Sequence, residues 1–120
     1  MAQLLALACW LLPAVAPAAA AEVLQVRSGQ LLQIGDQNRS YSVALACIAI
    51  PADGDQAAAA WLRQELPRRT RVNLRPLGSE QGTLLAQVQR LPSGRSDSPT
   101  DLGAGLVAAG LAEPLPHCSD

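Results

Sequence analysis

The stretch Val43-Ala44-Leu45-Ala46-Cys47-Ile48-Ala49-Ile50-Pro51 constrains this chain more than any other. It is apolar throughout, β-prone at its start and ended by a proline. A run of this length, bounded by turn signals, predicts a buried strand.

The flanking sequence supplies partners for it. Val23-Leu24-Gln25-Val26 alternates like a strand, Arg27-Ser28-Gly29-Gln30 interrupts it, and Leu31-Leu32-Gln33-Ile34 resumes it. Gly35-Asp36-Gln37-Asn38 is a turn cluster, so the strand from about Arg39 to Ile48 is expected to pair back as a hairpin. After Pro51, Asp53 or Asp55 is a natural N-cap for a helix from Gln56 to Leu66, where Ala57 to Ala60 favour helix. Trp61, Leu62 and Leu66 form its apolar face, Arg63, Gln64 and Glu65 point outward, and Pro67 stops it. Thr70 to Arg75 alternates with Val72 and Leu74 inward, Gly78 to Gly82 reads as a turn, and Thr83 to Leu91 reads as a strand around Leu85 and Val88. Pro92 to Thr100 is rich in Ser, Gly and Pro and is expected to be an exposed loop. Thr100 or Asp101 then caps a short helix through Leu102, Leu106 and Val107, ending near Gly110. This order predicts a mainly β fold with helices: a five-stranded OB-like barrel carrying two or three helices.

The chain's start has a different character. Leu4 to Val15 is an uncharged apolar run of signal-peptide length, and Ala19-x-Ala21 before Glu22 fits an A-x-A cleavage site. No Lys or Arg precedes that run. The expected organisation is a leader over 1–21, a barrel domain over 22–115 and a tail over 116–120, in an exported (periplasmic or secreted) protein. What remains after cleavage is roughly 100 residues, enough for a small core of marginal stability. With no Phe, one Tyr and two Trp, one of them in the leader, that core has to be Leu, Val, Ile and Ala. The nine basic residues are all Arg and the net charge is −1, which excludes a general electrostatic pull toward nucleic acid or anionic lipid.

The apolar stretch resembles the signature strand of the thermonuclease (staphylococcal-nuclease-like) family, V-R-L-x-x-I-D-x-P-E, with Val43, Leu45, Ile48 and Pro51 as the shared framework. A second block, Gly82-x-Leu84-Leu85-Ala86-x-Val88, is similar to the family's G-R-x-L-A-x-V. Asp101-Leu102-Gly103 and Leu106-Val107-x-x-Gly110-Leu111-Ala112 then follow in the family's order, so that the likeness runs from about Glu22 to Pro114. The resemblance implies an OB-like fold and an ancestral activity in which calcium, a Glu base and two Arg cleave phosphodiesters. It also implies that this equipment is gone. The family's first D-G-D falls on Ser28-Gly29-Gln30, and its signature-strand calcium positions fall on Ala49 and Ile50. The catalytic positions fall on Ala44 and Thr83 for the two Arg and on Ala52 for the Glu. A hard cation wants several oxygen ligands, and phosphoryl chemistry needs fixed positive charge and an oriented nucleophile. No catalytic residue, no metal site and no cofactor is therefore expected, calcium included. The expected protein is a pseudo-nuclease that works as a binding or accessory module. The alternative is a residual or rewired calcium-dependent nuclease on DNA or RNA that uses Asp53, Asp55 and Arg68 or Arg69.

Other features weigh less. Asp53-Gly54-Asp55 supplies only two carboxylates and reads as a helix start. Arg68, Arg69, Arg71 and Arg75 form the densest basic cluster, and the first three are candidates for weak phosphate binding. With no aromatic neighbours to stack bases, a solvated face is the simpler account of that cluster. His117, the one His, stands in the tail with no catalytic partner and reads as incidental. The expected oligomeric state is a monomer, with no membrane association after cleavage and either a protein partner or weak nucleic-acid binding. Finally, loss of Cys9 with the leader leaves Cys47 and Cys118 as an even pair in an exported chain, which predicts a disulfide. The alternative is a buried free Cys47 and a loose Cys118.

Overall fold

The computed structural model describes residues 21–92, 98–116 and 118. The expected leader apart from Ala21, the middle of the expected loop (93–97) and His117 lie outside the described residues.

In chain order the elements are β1 (Ala21–Val26), β2 (Leu31–Asp36), β3 (Arg39–Leu45), β4 (Ile48–Ala49), α1 (Asp55–Glu65) and β5 (Arg71–Glu80). They are followed by β6 (Thr83–Arg90), β7 (Thr100–Asp101), α2 (Leu102–Ala108) and β8 (Glu113–Pro114). Strands run in the order β3-β2-β1-β5-β6-β7, and a parallel pairing of β3 with β6 joins the ends of the five long strands. The result is a closed five-stranded barrel of OB-like topology with two helices. Val43, Ala44 and Leu45 stand opposite Leu84, Leu85 and Ala86 at the closure. Closure removes the free edges that an open five-stranded sheet would expose.

The core is continuous. Val23, Val26, Leu32, Ile34, Val43, Leu45, Val72, Ala86 and Val88 point into the barrel and meet Leu62 and Leu66 of α1 and its exit and Leu102 and Leu106 of α2. Every fully buried side chain among the described residues is apolar. Small residues let the helices approach closely. A Cβ at Gly105 would lie 2.5 Å from the Trp61 indole, and one at Gly29 would lie 2.8 Å from Ala58 Cβ.

Several expectations need correction. The apolar run is not one strand: it stops at Leu45, turns through Ala46 and Cys47, and resumes as β4, which pairs with β8. Cys47 has a left-handed backbone, φ 73°, which breaks the alternation and places it at the seam beside β8. Residues 78–80 are strand, paired Gly78 to Leu85 through Glu80 to Thr83, and only Gln81-Gly82 makes the turn. Both turn residues have positive φ, as the right-handed twist of a two-residue hairpin demands. In β6 the inward residues are Leu84, Ala86 and Val88, so Leu85 faces outward; two residues an odd number apart cannot share a strand face. Neither Asp53 nor Asp55 caps α1, whose N-cap is Gly54 without a side-chain hydrogen bond. Asp101 does cap α2, its carboxylate accepting from Ala104 N–H at 2.8 Å. The buried face of α1 is Ala58, Ala59 and Leu62, with Trp61 only partly buried. Thr100, placed in the loop by the sequence, pairs with Arg90 in β7. Ala21, placed in the leader, is buried and pairs with Val72.

Candidate functional site

Two regions collect the positions singled out by the sequence. The first lies where the β1–β2 turn meets the break after β3. Gln30 donates from its side-chain Nε2 to the carbonyl oxygens of Leu45 (3.1 Å) and Ile48 (3.0 Å). Its own carbonyl accepts from Leu45 N–H at 2.9 Å, and its N–H donates to Ser28 Oγ at 3.3 Å. Gly29 N–H donates to Asp55 Oδ1 at 2.8 Å, which ties the turn to the start of α1.

This geometry is hostile to a cation. Two carbonyls converge on one point, and what fills it is an amide donor that uses both of its protons there. The Asp55 carboxylate is engaged by the turn. Ala49 is an exposed methyl on β4, and Ile50 packs against the core. Ser28 Oγ accepts from Gln30 N–H, and Ala49 and Ile50 carry no side-chain oxygen. Among the described residues no three His, Cys, Asp or Glu side chains gather into a metal-binding group.

The second region is a shallow concavity lined by Ala44, Thr83, Glu80, Gln81 and Leu85. The structure therefore brings Ala44 and Thr83 together. The charged neighbour that it adds is Glu80, which the sequence did not single out. An acidic side chain there repels phosphate, whereas the resemblance would put two cations at these positions. Ala52 lies apart, exposed in the Pro51–Gly54 turn that Gly54 N–H closes onto Pro51 O at 2.8 Å.

The arginine cluster divides. Arg68 donates to Leu24 O at 3.1 Å, and Arg69 sits 3.6 Å from Glu22 with most of its side chain in solvent. Arg69 and Arg71 share a depression with Arg90, which sequence reasoning missed. Arg90 is already committed: its Nη1 lies 3.0 Å from Glu65 Oε1, and its Nη2 donates to Thr100 Oγ1 at 3.3 Å. The signal that would have found it is the hairpin register, in which Arg90 stands opposite Val72 once Gln81-Gly82 is taken as the turn. Asp55 and Arg68/Arg69 lie at opposite ends of α1, which at 11 residues is about 16 Å long.

The cysteines meet. Cys47 and Cys118 are 5.1 Å apart at Cα and form a disulfide that pins the chain end beside β4. Gln87 Nε2 points at Cys47 Sγ from 3.7 Å. Burial, the neighbouring charge of Asp36 and a hydrogen bond to it together raise the Tyr41 phenol above its ordinary value of 10.0, against an opposing pull from Arg39. No helix among the described residues is long and apolar enough to cross a membrane. No family model and no curated protein matches the chain.

Proposed function

We propose that this chain is a non-catalytic OB-like module, a degenerate relative of staphylococcal-nuclease-like proteins that serves as a binding or accessory protein after export to an oxidising compartment. The observation that carries this reading is the Gln30 amide seated on the Leu45 and Ile48 carbonyls. At a position where the resemblance expects a calcium carboxylate, this chain has a hydrogen-bond donor doing the cation's structural work. The concavity around Ala44, Thr83 and Glu80 adds support, since it holds no positive charge to clamp a phosphate. The disulfide supports the oxidising compartment.

A rewired nuclease built from Asp53, Asp55, Arg68 and Arg69 would need its carboxylates and cations in one cleft. The length of α1 keeps Asp55 and the two arginines apart. The test is incubation of the purified full chain with single-stranded DNA and with RNA in millimolar calcium. The expected result is intact substrate. Digestion that a chelator abolishes would overturn the reading.

A further inference from the structure

The two ends of the disulfide are chemically unlike. Both cysteines are partly exposed. Cys47 sits in a left-handed turn between two strands, with the Gln87 side-chain amide aimed at its sulfur from 3.7 Å. Cys118 lies near the chain end, where its N–H reaches Leu115 O at 3.4 Å. Besides the bridge, the segment after Ala112 is held to the seam by the two-residue β4–β8 pairing and by Leu115 N–H on Cys47 O at 2.9 Å.

In thiol–disulfide exchange a thiolate attacks one sulfur, and the other departs with the bonding electron pair. The sulfur that leaves faster is the one whose thiol has the lower pKa. An amide N–H directed at a sulfur stabilises the negative charge that grows on it and lowers that pKa. Gln87 gives this assistance to Cys47.

We propose that the Cys47–Cys118 bridge is a directional exchange site, at which an external thiol attacks Cys118 Sγ and Cys47 leaves as a thiolate held by Gln87. The bridge S–S bond breaks, and a new S–S bond forms between the incoming sulfur and Cys118. The proton lost by the attacking thiol ends on Cys47 or in solvent. With a dithiol reductant the second sulfur displaces Cys118 in turn; the reductant closes its own disulfide, and the protein gains two electrons and two protons as two thiols. A mixed disulfide at Cys118 therefore removes the covalent latch over a groove lined by Ala46, Leu77 and Leu85, and leaves the segment after Ala112 to the β4–β8 pairing and the Leu115 N–H bond. Because Leu77 is already substantially exposed, at 46%, release of Leu115 and Pro116 would widen an apolar surface there.

The test uses the full chain carrying Cys9→Ser, so that the two bridge cysteines are the only ones that react. The native protein is treated briefly with limiting reduced glutathione, quenched with N-ethylmaleimide and mapped by peptide mass spectrometry. Glutathione on Cys118 with maleimide on Cys47 should exceed the reverse pattern roughly tenfold, the effect of one hydrogen bond to a charged sulfur. The bias should vanish in denaturant. Gln87→Leu should shrink it, and Gln87→Glu, which sets a carboxylate beside Cys47 Sγ, should bring it to parity or reverse it. Equal labelling in the native chain overturns the proposal, whatever the variants do. So does a bias that survives both substitutions.

Discussion

Gln30 Nε2 lies 3.0 Å from the carbonyl oxygen of Ile48, and through a second hydrogen bond to Leu45 O it closes the gap that Ala46 and Cys47 open in the central apolar stretch. One side chain on the β1–β2 turn thus holds both sides of a strand break. Gln30→Leu leaves two carbonyls without their donor and is expected to cost about 2 kcal/mol. Gln30→Glu is expected to cost more, about 3 kcal/mol, because an ionised carboxylate would face two acceptors. Urea denaturation with the disulfide intact measures both. A Gln30→Glu variant as stable as wild type would refute this account of the site.

Calcium is expected to leave the wild-type melting temperature unchanged. An ion bound to the native state alone, at a hundredfold its dissociation constant, would add roughly 2.7 kcal/mol, which a thermal melt resolves easily. A clear calcium-dependent rise would mean that an oxygen set exists which the Gln30 geometry denies.

The disulfide closes a loop of 71 residues. In the chain-entropy model, removing it by the paired substitutions Cys47→Ser and Cys118→Ser should cost about 4 kcal/mol. For a barrel of this size that is a large fraction of the whole stability. Equilibrium denaturation of the double variant should show a much lower midpoint with a steeper slope, because the unfolded chain without the crosslink exposes more surface. A loss below about 1 kcal/mol would mean that the chain end is latched by its packing alone.

Tyr41 provides a pH signature. Its phenol pKa is raised in the fold by burial first and by Asp36 second. Below pH 10 both states hold the proton, so stability does not depend on this group. Above pH 10 the unfolded chain releases the proton while the folded chain retains it, so stability falls until the folded pKa is passed. Tyrosinate absorbance should therefore titrate at higher pH in the native protein than in denaturant, and the single Tyr makes the assignment unambiguous. Asp36→Asn should lower the native midpoint without returning it to 10.0, because burial remains.

Gly105 of α2 packs directly against Trp61 of α1. Gly105→Ala would drive a methyl into the Trp61 ring, with a built Cβ 2.5 Å from Cη2, and is expected to cost about 1–3 kcal/mol. A denaturation series reports the loss, and the altered Trp61 environment should shift the native fluorescence.

Strand and helix order was legible in the sequence because it follows from local periodicity. Val23 to Val26 and Leu31 to Ile34 alternate, Ala57 to Leu66 favours helix between Pro51 and Pro67, and these patterns narrow the options to a small barrel with helices across it. The lack of polar side chains at three positions of the central stretch and the turn after it was legible too. Ala44, Ala49 and Ala52 lack the atoms for the chemistry whatever the fold does with them. The Cys47–Cys118 pairing followed from counting thiols in a chain with an export-like start, and the structure places the two within bonding reach.

What the tertiary structure alone decided are matters of register, reversal and long-range partnership. No local pattern marks Cys47 as left-handed: an apolar run looks the same whether it continues or turns back, and the turn here is held by Gln30, seventeen residues earlier in the chain. The assignment of Leu85 to the outer face depended on which residue of β6 meets β3, a pairing between segments some forty residues apart. Arg90 with Glu65, Gln87 with Cys47 and Glu80 beside Ala44 are likewise products of barrel closure. Backbone propensity acts over a few residues, whereas a side chain's electrostatic surroundings are set by whatever the fold brings within a few ångströms. The composition of each segment was therefore enough to name its element, and only the closed barrel could say which polar groups would face one another.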